Sequence, residues 1–409
     1  MMSISTSEIK LINGHYKLFV NGKPFYLKGA GLEFGSIKQL ADHGANSFRT
    51  WRTNNGQKSG KEILDEAHQY GLKVMMGIEV ARERHGFDYN DSLAVQEQLY
   101  RIRDEVLELK DHPALIIWGI GNELNLSSND INVWNAVNEI SKMIHEVDAH
   151  HLTTTSLAGI SPNLIAVIKS RASDLDFLSF QMYAEIDALP KLIDHSGWDG
   201  PFAFTEWGAT GYWEVKKTTW GAPIEETSTQ KAAHYLNRYL QSIALQENQC
   251  LGSFVFLWGQ KQERTSTWFG MFTPDDRKTE CVDVMHYLWN KEWPQNRCPK
   301  VAAFELNNQS ANESVTLEAN QFCSAKVQIK AMTQTKLTFY WEVREESKST
   351  KEGGDKEEIP ELVFVKWQKD LREEAQFYAP EKSGAYRLFV QIEDPNAGVA
   401  HANIPFYVS

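Results

Sequence analysis

The 409-residue sequence lacks a cysteine framework. Cys250, Cys281, Cys298 and Cys323 form no CxxC pair, and their spacing fits neither a zinc site nor a disulfide scaffold, so four free thiols are expected. There is no apolar run of roughly 18 residues, which leaves no candidate membrane-spanning helix and no membrane partner. Residues 1–10 lack an apolar h-region, so the expectation is a soluble chain whose native compartment is open. A Lys/Arg-rich block is also missing. With 42 Lys+Arg against 54 Asp+Glu and a net charge of −12, nucleic acid is not an expected partner. No GxGxxG follows the first expected strand, no P-loop is present, and no Ser-His-Asp or Cys-His set emerges. Nothing in the pattern calls for a metal or another cofactor, and the oligomeric state is not readable.

Aromatic residues are abundant instead. The 13 Trp, 14 Tyr and 20 Phe exceed what a core requires. Most must pack the interior; the remainder suit a cleft that stacks on flat sugar faces, which makes a carbohydrate the expected partner.

Short, almost continuously apolar runs at 25–31, 45–51, 72–80, 114–123, 152–159, 176–183, 201–208 and 250–258 read as strands covered on both faces. Amphipathic stretches at 58–70, 92–110, 131–147, 230–246 and 281–290 read as helices between them, the third with Asp130 as its cap. Eight βα units in this length match a (β/α)8 TIM barrel. A doubly wound open sheet is the competing architecture. Residues 292–299 (EWPQNRCP) read as a linker. Beyond it the period changes to two, with strands expected at 314–319, 325–331, 337–343, 362–367, 375–379, 385–392 and 402–408. The expected architecture is therefore an α/β barrel at 1–292, a linker at 293–300 and a small all-β immunoglobulin-like sandwich at 301–409. The charged stretch 345–358 reads as a solvated loop.

Catalytic groups of such a barrel sit at the C-terminal ends of its strands. Those ends carry Glu33, then Arg49, Trp51 and Arg52, then Glu79, Asn122-Glu123, Gln181 and Tyr183, Glu206-Trp207, and Trp258. Two carboxylates facing each other across the barrel suit glycosidic bond cleavage. Spacing alone does not choose among Glu33, Glu79, Glu123 and Glu206. Local context favours Glu123, delivered by a Gly119-Ile120-Gly121 run, and Glu206, at the end of the apolar run Ala203-Phe204-Thr205.

These segments resemble the clan A retaining glycoside hydrolases, and most closely the barrel domain of glycoside hydrolase family 2. Residues 19–29 (FVNGKPFYLKG) are similar to the family's approach to strand one. Residues 117–123 (IWGIGNE) are similar to its acid/base motif, and 204–208 (FTEWG) to its nucleophile motif. The resemblance covers about residues 15–292. It implies Glu123 as general acid/base and Glu206 as nucleophile. It implies Asn122 on the sugar 2-hydroxyl, Arg49 and Tyr183 holding Glu206 ionised, and Trp258 as the floor under the −1 sugar. Trp51 and Trp207 join the expected substrate-binding set. The family usually carries a jelly roll and a sandwich ahead of its barrel, whereas here barrel-like sequence begins near residue 15. A barrel followed by one sandwich also resembles the family 158 endo-β-1,3-glucanases.

The expected activity is double displacement on a β-linked oligo- or polysaccharide, with β-1,3-glucan the first substrate. An exo-acting β-galactosidase, β-mannosidase or β-glucuronidase, or a transglycosylase, is the alternative. A sugar-binding protein on an inactive barrel is the non-enzymatic one. Residues 82–85, Trp213, Trp220, Trp268, Gln260, Gln262 and Glu263 lie in loops where sugar contacts and loop anchoring are both open. His150-His151 lies on the side away from the expected site, and Asp275-Asp276 reads as a turn.

Overall fold

The computed structural model of the protein describes residues 4–330, 336–368, 372–396 and 398–409. Two compact units emerge, Met1–Trp207 with Arg238–Trp258, and Gly208–Asn237 with Gly259–Ser409. The segments that follow the seventh and eighth barrel strands thus belong to the second unit, as does the helix Glu280–Asn290.

In the first unit eight strands close into one parallel barrel: β1 Leu27–Gly31, β2 Ser47–Arg49, β3 Lys73–Ile78, β4 Leu115–Asn122, β5 Leu152–Ala158, β6 Phe177–Gln181, β7 Phe202–Glu206 and β8 Cys250–Val255. Gly252 of β8 pairs with Leu27 of β1 and completes the ring. Each strand falls inside one of the eight expected runs. Every residue of β4 is buried, which explains its lack of alternation. The helices follow their sequence signals. Ser59 and Glu62 form a capping box at Gly60–Gln69, and Asp91 accepts from the Leu93 and Ala94 amides at Ser92–Leu109. At Asn132–Val147 the N-cap is Ile131, without a side-chain cap, rather than the expected Asp130, which lies one residue earlier and accepts the Asn132 amide at 2.9 Å. Three further helices, Ile37–Asp42, Pro162–Arg171 and Leu189–Ser196, were not legible; none exceeds ten residues.

A three-stranded meander precedes the barrel, Ser7–Ile12, His15–Val20 and Lys23–Phe25. Its turns, Asn13-Gly14 and Asn21-Gly22, all have positive φ, the geometry of two-residue hairpins. Leu18 and Val20 pack against Leu27, Leu152, Phe177 and Leu251 near the starts of their strands. The meander therefore seals the end of the barrel opposite the catalytic rim.

The second unit contains two sheets around one apolar core. Lys300–Leu306, Phe322–Lys330 and Glu374–Tyr378 form one; Thr316–Leu317, Gly398–Val408, Gly384–Asp394, Thr338–Glu345 and Leu362–Val363 form the other. Leu306, Val327 and Phe377 from the first meet Val343, Leu388 and Ile404 from the second. The strand Lys300–Leu306 was not expected, because it starts directly behind Pro299. Ala331, the expected end of another, lies outside the described residues. This unit also buries a polar junction. Glu225 Oε1 accepts from Lys231 Nζ (2.5 Å) and Thr267 Oγ1 (2.8 Å), and its Oε2 from Thr265 Oγ1 and Asn403 Nδ2 (2.6 Å each). Arg387 clasps Glu346 with two nitrogens and donates to Asn403 Oδ1 at 2.7 Å.

Candidate active site

Glu206 is the last residue of β7 and is 5% exposed. Its carboxylate sits inside a cage of donors from two other strand ends. Oε1 accepts from Arg49 Nη1 at 3.2 Å, Trp51 Nε1 at 2.8 Å and Gln181 Nε2 at 3.1 Å. Oε2 accepts from the Tyr183 hydroxyl at 2.9 Å. Arg49 ends β2 and Gln181 ends β6, with Trp51 and Tyr183 each two residues further on. The period of two along a strand explains why residues two apart reach the same mouth. Four donors, one of them the Arg49 cation, thus converge on this carboxylate.

The second carboxylate comes from β4. Gly121 has φ 72° and Glu123 has φ 50°, so the chain leaves the strand through two left-handed residues. The glycine makes the first of these possible at little cost. The Glu123 amide donates to Ser156 O at 2.9 Å, and its side chain is half-buried at the rim. Asn122 is buried, and its Oδ1 accepts from Arg49 Nη2 and Gln181 Nε2, both at 2.7 Å. Those two donors fix the amide, with Oδ1 as the acceptor. Arg82 Nε also donates to the Asn122 carbonyl at 3.3 Å. Burial pulls the Arg49 guanidinium below its ordinary range, and Glu206 and Glu123, in that order, oppose the shift. One buried cation thus feels both carboxylates.

Several expected residues lie elsewhere. Trp258 is fully buried, and its indole donates to Ser36 O at 3.2 Å, so it offers no face to a sugar. Trp207 is also fully buried, against Tyr239. Both corrections have one cause: the strand-end tryptophans point into the packing behind the rim. From strand eight it is Phe256 that reaches the cage, meeting Trp51 and Tyr183 edge-on at 5.8 and 6.1 Å. Trp51, expected on the substrate, is half-buried in the cage itself, with its N–H bound to Glu206. Of the other carboxylates, Glu33 is paired with Arg52, and Glu79 is exposed. Gln181 was read as a strand end without a role; a single glutamine carries no signal that it will find two acceptors.

The loop residues mostly prove to be anchors. Glu83 accepts from Ser128 and from the amides of Asn129 and Asp130, which hold its carboxyl below the ordinary range. His151 is buried against Asp148 at 2.7 Å, and Asp275 accepts from Thr273 and Arg277. In the second unit Trp268 donates to Thr210 O at 2.9 Å, Trp220 packs on Tyr407, and Gln260 donates to Ser266 O. Trp213 is different. Its ring is 52% exposed and lies on Gly211, where a Cβ would sit 2.5 Å from the indole.

A closed eight-stranded barrel with a caged carboxylate after strand seven and an Asn-Glu pair after strand four has the design of a clan A glycoside hydrolase. Residues 36–249 match the model of Glycosyl hydrolases family 2, TIM barrel domain, and the chain belongs to that family. It is 29% identical over 130 residues to the β-glucuronidase of Mus musculus, covering 26% of this chain and 18% of that protein. The β-glucuronidase of Rattus norvegicus is 28% identical over the same length, with the same coverage. Among solved structures, Bifidobacterium dentium β-glucuronidase superposes with a TM-score of 0.54 at 17% identity, over 69% of this chain and 49% of that one. Bacteroides uniformis β-glucuronidase gives 0.51 at 13% identity, over 98% and 48%. The matches thus span about half of the solved chains and under a fifth of the curated relatives. At these identities the structural likeness establishes the fold.

Proposed function

We propose that the protein is a retaining β-glycoside hydrolase in which Glu206 is the nucleophile and Glu123 the general acid/base. The observation that supports this reading is the buried Glu206 carboxylate at the end of β7, which accepts hydrogen bonds from Arg49, Trp51, Gln181 and Tyr183, with an Arg49 guanidinium that interacts electrostatically with both Glu206 and Glu123. Glu206 attacks the anomeric carbon while Glu123 protonates the departing glycosidic oxygen. Water then attacks the glycosyl ester, giving its proton to Glu123 and restoring both groups. Asn122 Nδ2 donates to the sugar 2-hydroxyl, where hydrogen bonding strengthens in the oxocarbenium-like transition state.

The names of the relatives favour a β-D-glucuronide as the first substrate. The β-1,3-glucan expected from the sequence is the second substrate to try. An aryl-glycoside panel containing glucuronide, glucoside, galactoside and mannoside, run beside laminarin with product sizing, separates them. Glu206→Ala should abolish turnover without loss of folding. Azide should rescue Glu206→Gly and yield a product of inverted configuration. Wild-type turnover by a folded Glu206→Ala enzyme would defeat the assignment.

A further inference from the structure

The donors around Glu206 are distributed unequally. Oε1 receives three N–H groups, from Arg49, Trp51 and Gln181, whereas Oε2 receives the Tyr183 hydroxyl. A carboxylate oxygen has about two lone-pair sites, so three donors leave Oε1 none to offer an electrophile. Gln181 adds an independent sign that the arrangement is functional. Its Nε2 faces both Asn122 Oδ1 and Glu206 Oε1, and its own Oε1 is buried with no hydrogen-bond partner. Turning the amide over would set its oxygen against two acceptors. The buried orphan carbonyl is therefore tolerated for the sake of the two bonds that Nε2 makes. The indole of Trp51 is likewise committed. Its Nε1 reaches Oε1 at 2.8 Å, its ring lies under the Arg49 guanidinium at 4.7 Å, and its outer edge occupies space left by Gly31.

Building on the nucleophile assignment above, we propose that Trp51 and Gln181 are positioning residues that, with Arg49, saturate Oε1 and so make Oε2 the attacking oxygen. In the first half-reaction an Oε2 lone pair forms the bond to the anomeric carbon. The bond from that carbon to the aglycone oxygen breaks, and the aglycone oxygen takes the Glu123 proton. Oε1 becomes the carbonyl oxygen of the glycosyl ester and keeps its three donors. In the second half-reaction water bonds to the anomeric carbon, its proton passes to Glu123, and the C1–Oε2 electron pair returns to the carboxylate. The charge then regained is shared with Oε1, where the donors already wait. Their contribution is thus largest in breaking the ester, as expected for preorganised dipoles aimed at developing charge.

The test uses the full chain and two variants that remove the N–H, Trp51→Phe, which leaves a smaller aromatic ring, and Gln181→Met, which keeps a similar side-chain volume. The probes are the 2,4-dinitrophenyl β-D-glucuronide, glucoside, galactoside and mannoside, whose leaving group makes ester breakdown limiting. The expected result is a fall in kcat of about 10- to 100-fold with KM falling alongside, because the glycosyl-enzyme accumulates. The matching 2-deoxy-2-fluoro adduct should also reactivate more slowly in both variants. Melting curves verify that each variant is folded. A kcat within twofold of wild type in both variants overturns the proposal, as does a loss accompanied by rising KM with unchanged reactivation. Peptide mapping of the wild-type fluoro-adduct separates this from the underlying reading. An adduct on a carboxylate other than Glu206 defeats the nucleophile assignment, whereas an adduct on Glu206 with unaltered variant kinetics defeats only the role of Trp51 and Gln181.

Discussion

Arg49 and Glu206 meet at 3.2 Å with side chains 2% and 6% exposed, which makes this the most enclosed ion pair of the candidate site. A buried pair of this kind tolerates conversion poorly, since removing one partner strands the other. The guanidinium is also bidentate in function, holding Glu206 with Nη1 and Asn122 with Nη2. A lysine ammonium cannot span both acceptors in a fixed plane. Arg49→Lys should therefore fold and lose at least about 100-fold in kcat/KM. Arg49→Met should in addition lose roughly 3–5 kcal/mol of stability. Steady-state kinetics and denaturant titration check the two outcomes separately; a fully active Arg49→Lys enzyme would contradict the shared-clamp geometry.

Glu123 leads to a different kinetic signature. Its role as acid matters most when the leaving group is poor, since dinitrophenolate departs without protonation. Glu123→Ala should cost about 10³-fold or more on a natural glycoside and far less in the first half-reaction of a dinitrophenyl glycoside. Azide should accelerate the variant and give a glycosyl azide of retained configuration, because the anion attacks the intact glycosyl-Glu206 ester. Equal losses on good and poor leaving groups would remove Glu123 from the acid role.

The barrel was legible because its eight strands are covered on both faces, so apolar runs mark them without ambiguity. For the candidate site, the strand-end rule offered Glu33, Glu79, Glu123 and Glu206 alike, and local context singled out Glu123 and Glu206. The meander carried a readable signal, Asn-Gly twice, that passed unread beside the approach to strand one. The cage around Glu206 was not fully readable. Position along a strand says that Trp51, Gln181 and Trp258 reach the rim region, but not whether each side chain finds an acceptor, a neighbour or solvent. Trp258 finds the Ser36 carbonyl and Trp51 finds Glu206, a difference decided by packing in three dimensions.

The second unit should lose stability toward acid. Burial alone would raise the Glu225 carboxyl; Lys231 leads the charges that outweigh it and hold it at about 2. Its contribution is present above the ordinary carboxylate range and disappears as pH falls toward 2. His401 is fully buried, and burial together with Lys231 pushes it down to about 3. An unfolded chain protonates that histidine near its ordinary pKa of about 6.5 while the folded unit does not, so stability starts to fall below that pH. Both groups act in the same direction. Denaturant titration at pH 8, 6 and 4 should show a progressive loss, flattened between pH 6.5 and 4 in His401→Gln. Lys231→Met, which leaves the Glu225 charge buried, should cost roughly 3–5 kcal/mol at pH 7. A pH-independent midpoint in the wild-type protein would count against this account.

Gly31 offers a test of how Glu206 is held that touches neither carboxylate. A Cβ at this position would lie 2.6 Å from the outer edge of the Trp51 ring. The indole cannot simply move away, because its Nε1 is bound to Glu206 and its face lies against Arg49. Gly31→Ala should therefore cost about 1–3 kcal/mol through overpacking and shift Trp51 away from Oε1. Its kinetic defect should resemble that of Trp51→Phe. The double variant Gly31→Ala/Trp51→Phe should be no slower than the worse single variant, since both changes remove the same hydrogen bond and the smaller ring relieves the clash. Multiplicative losses in the double variant would show that Gly31 acts on turnover by a route other than Trp51.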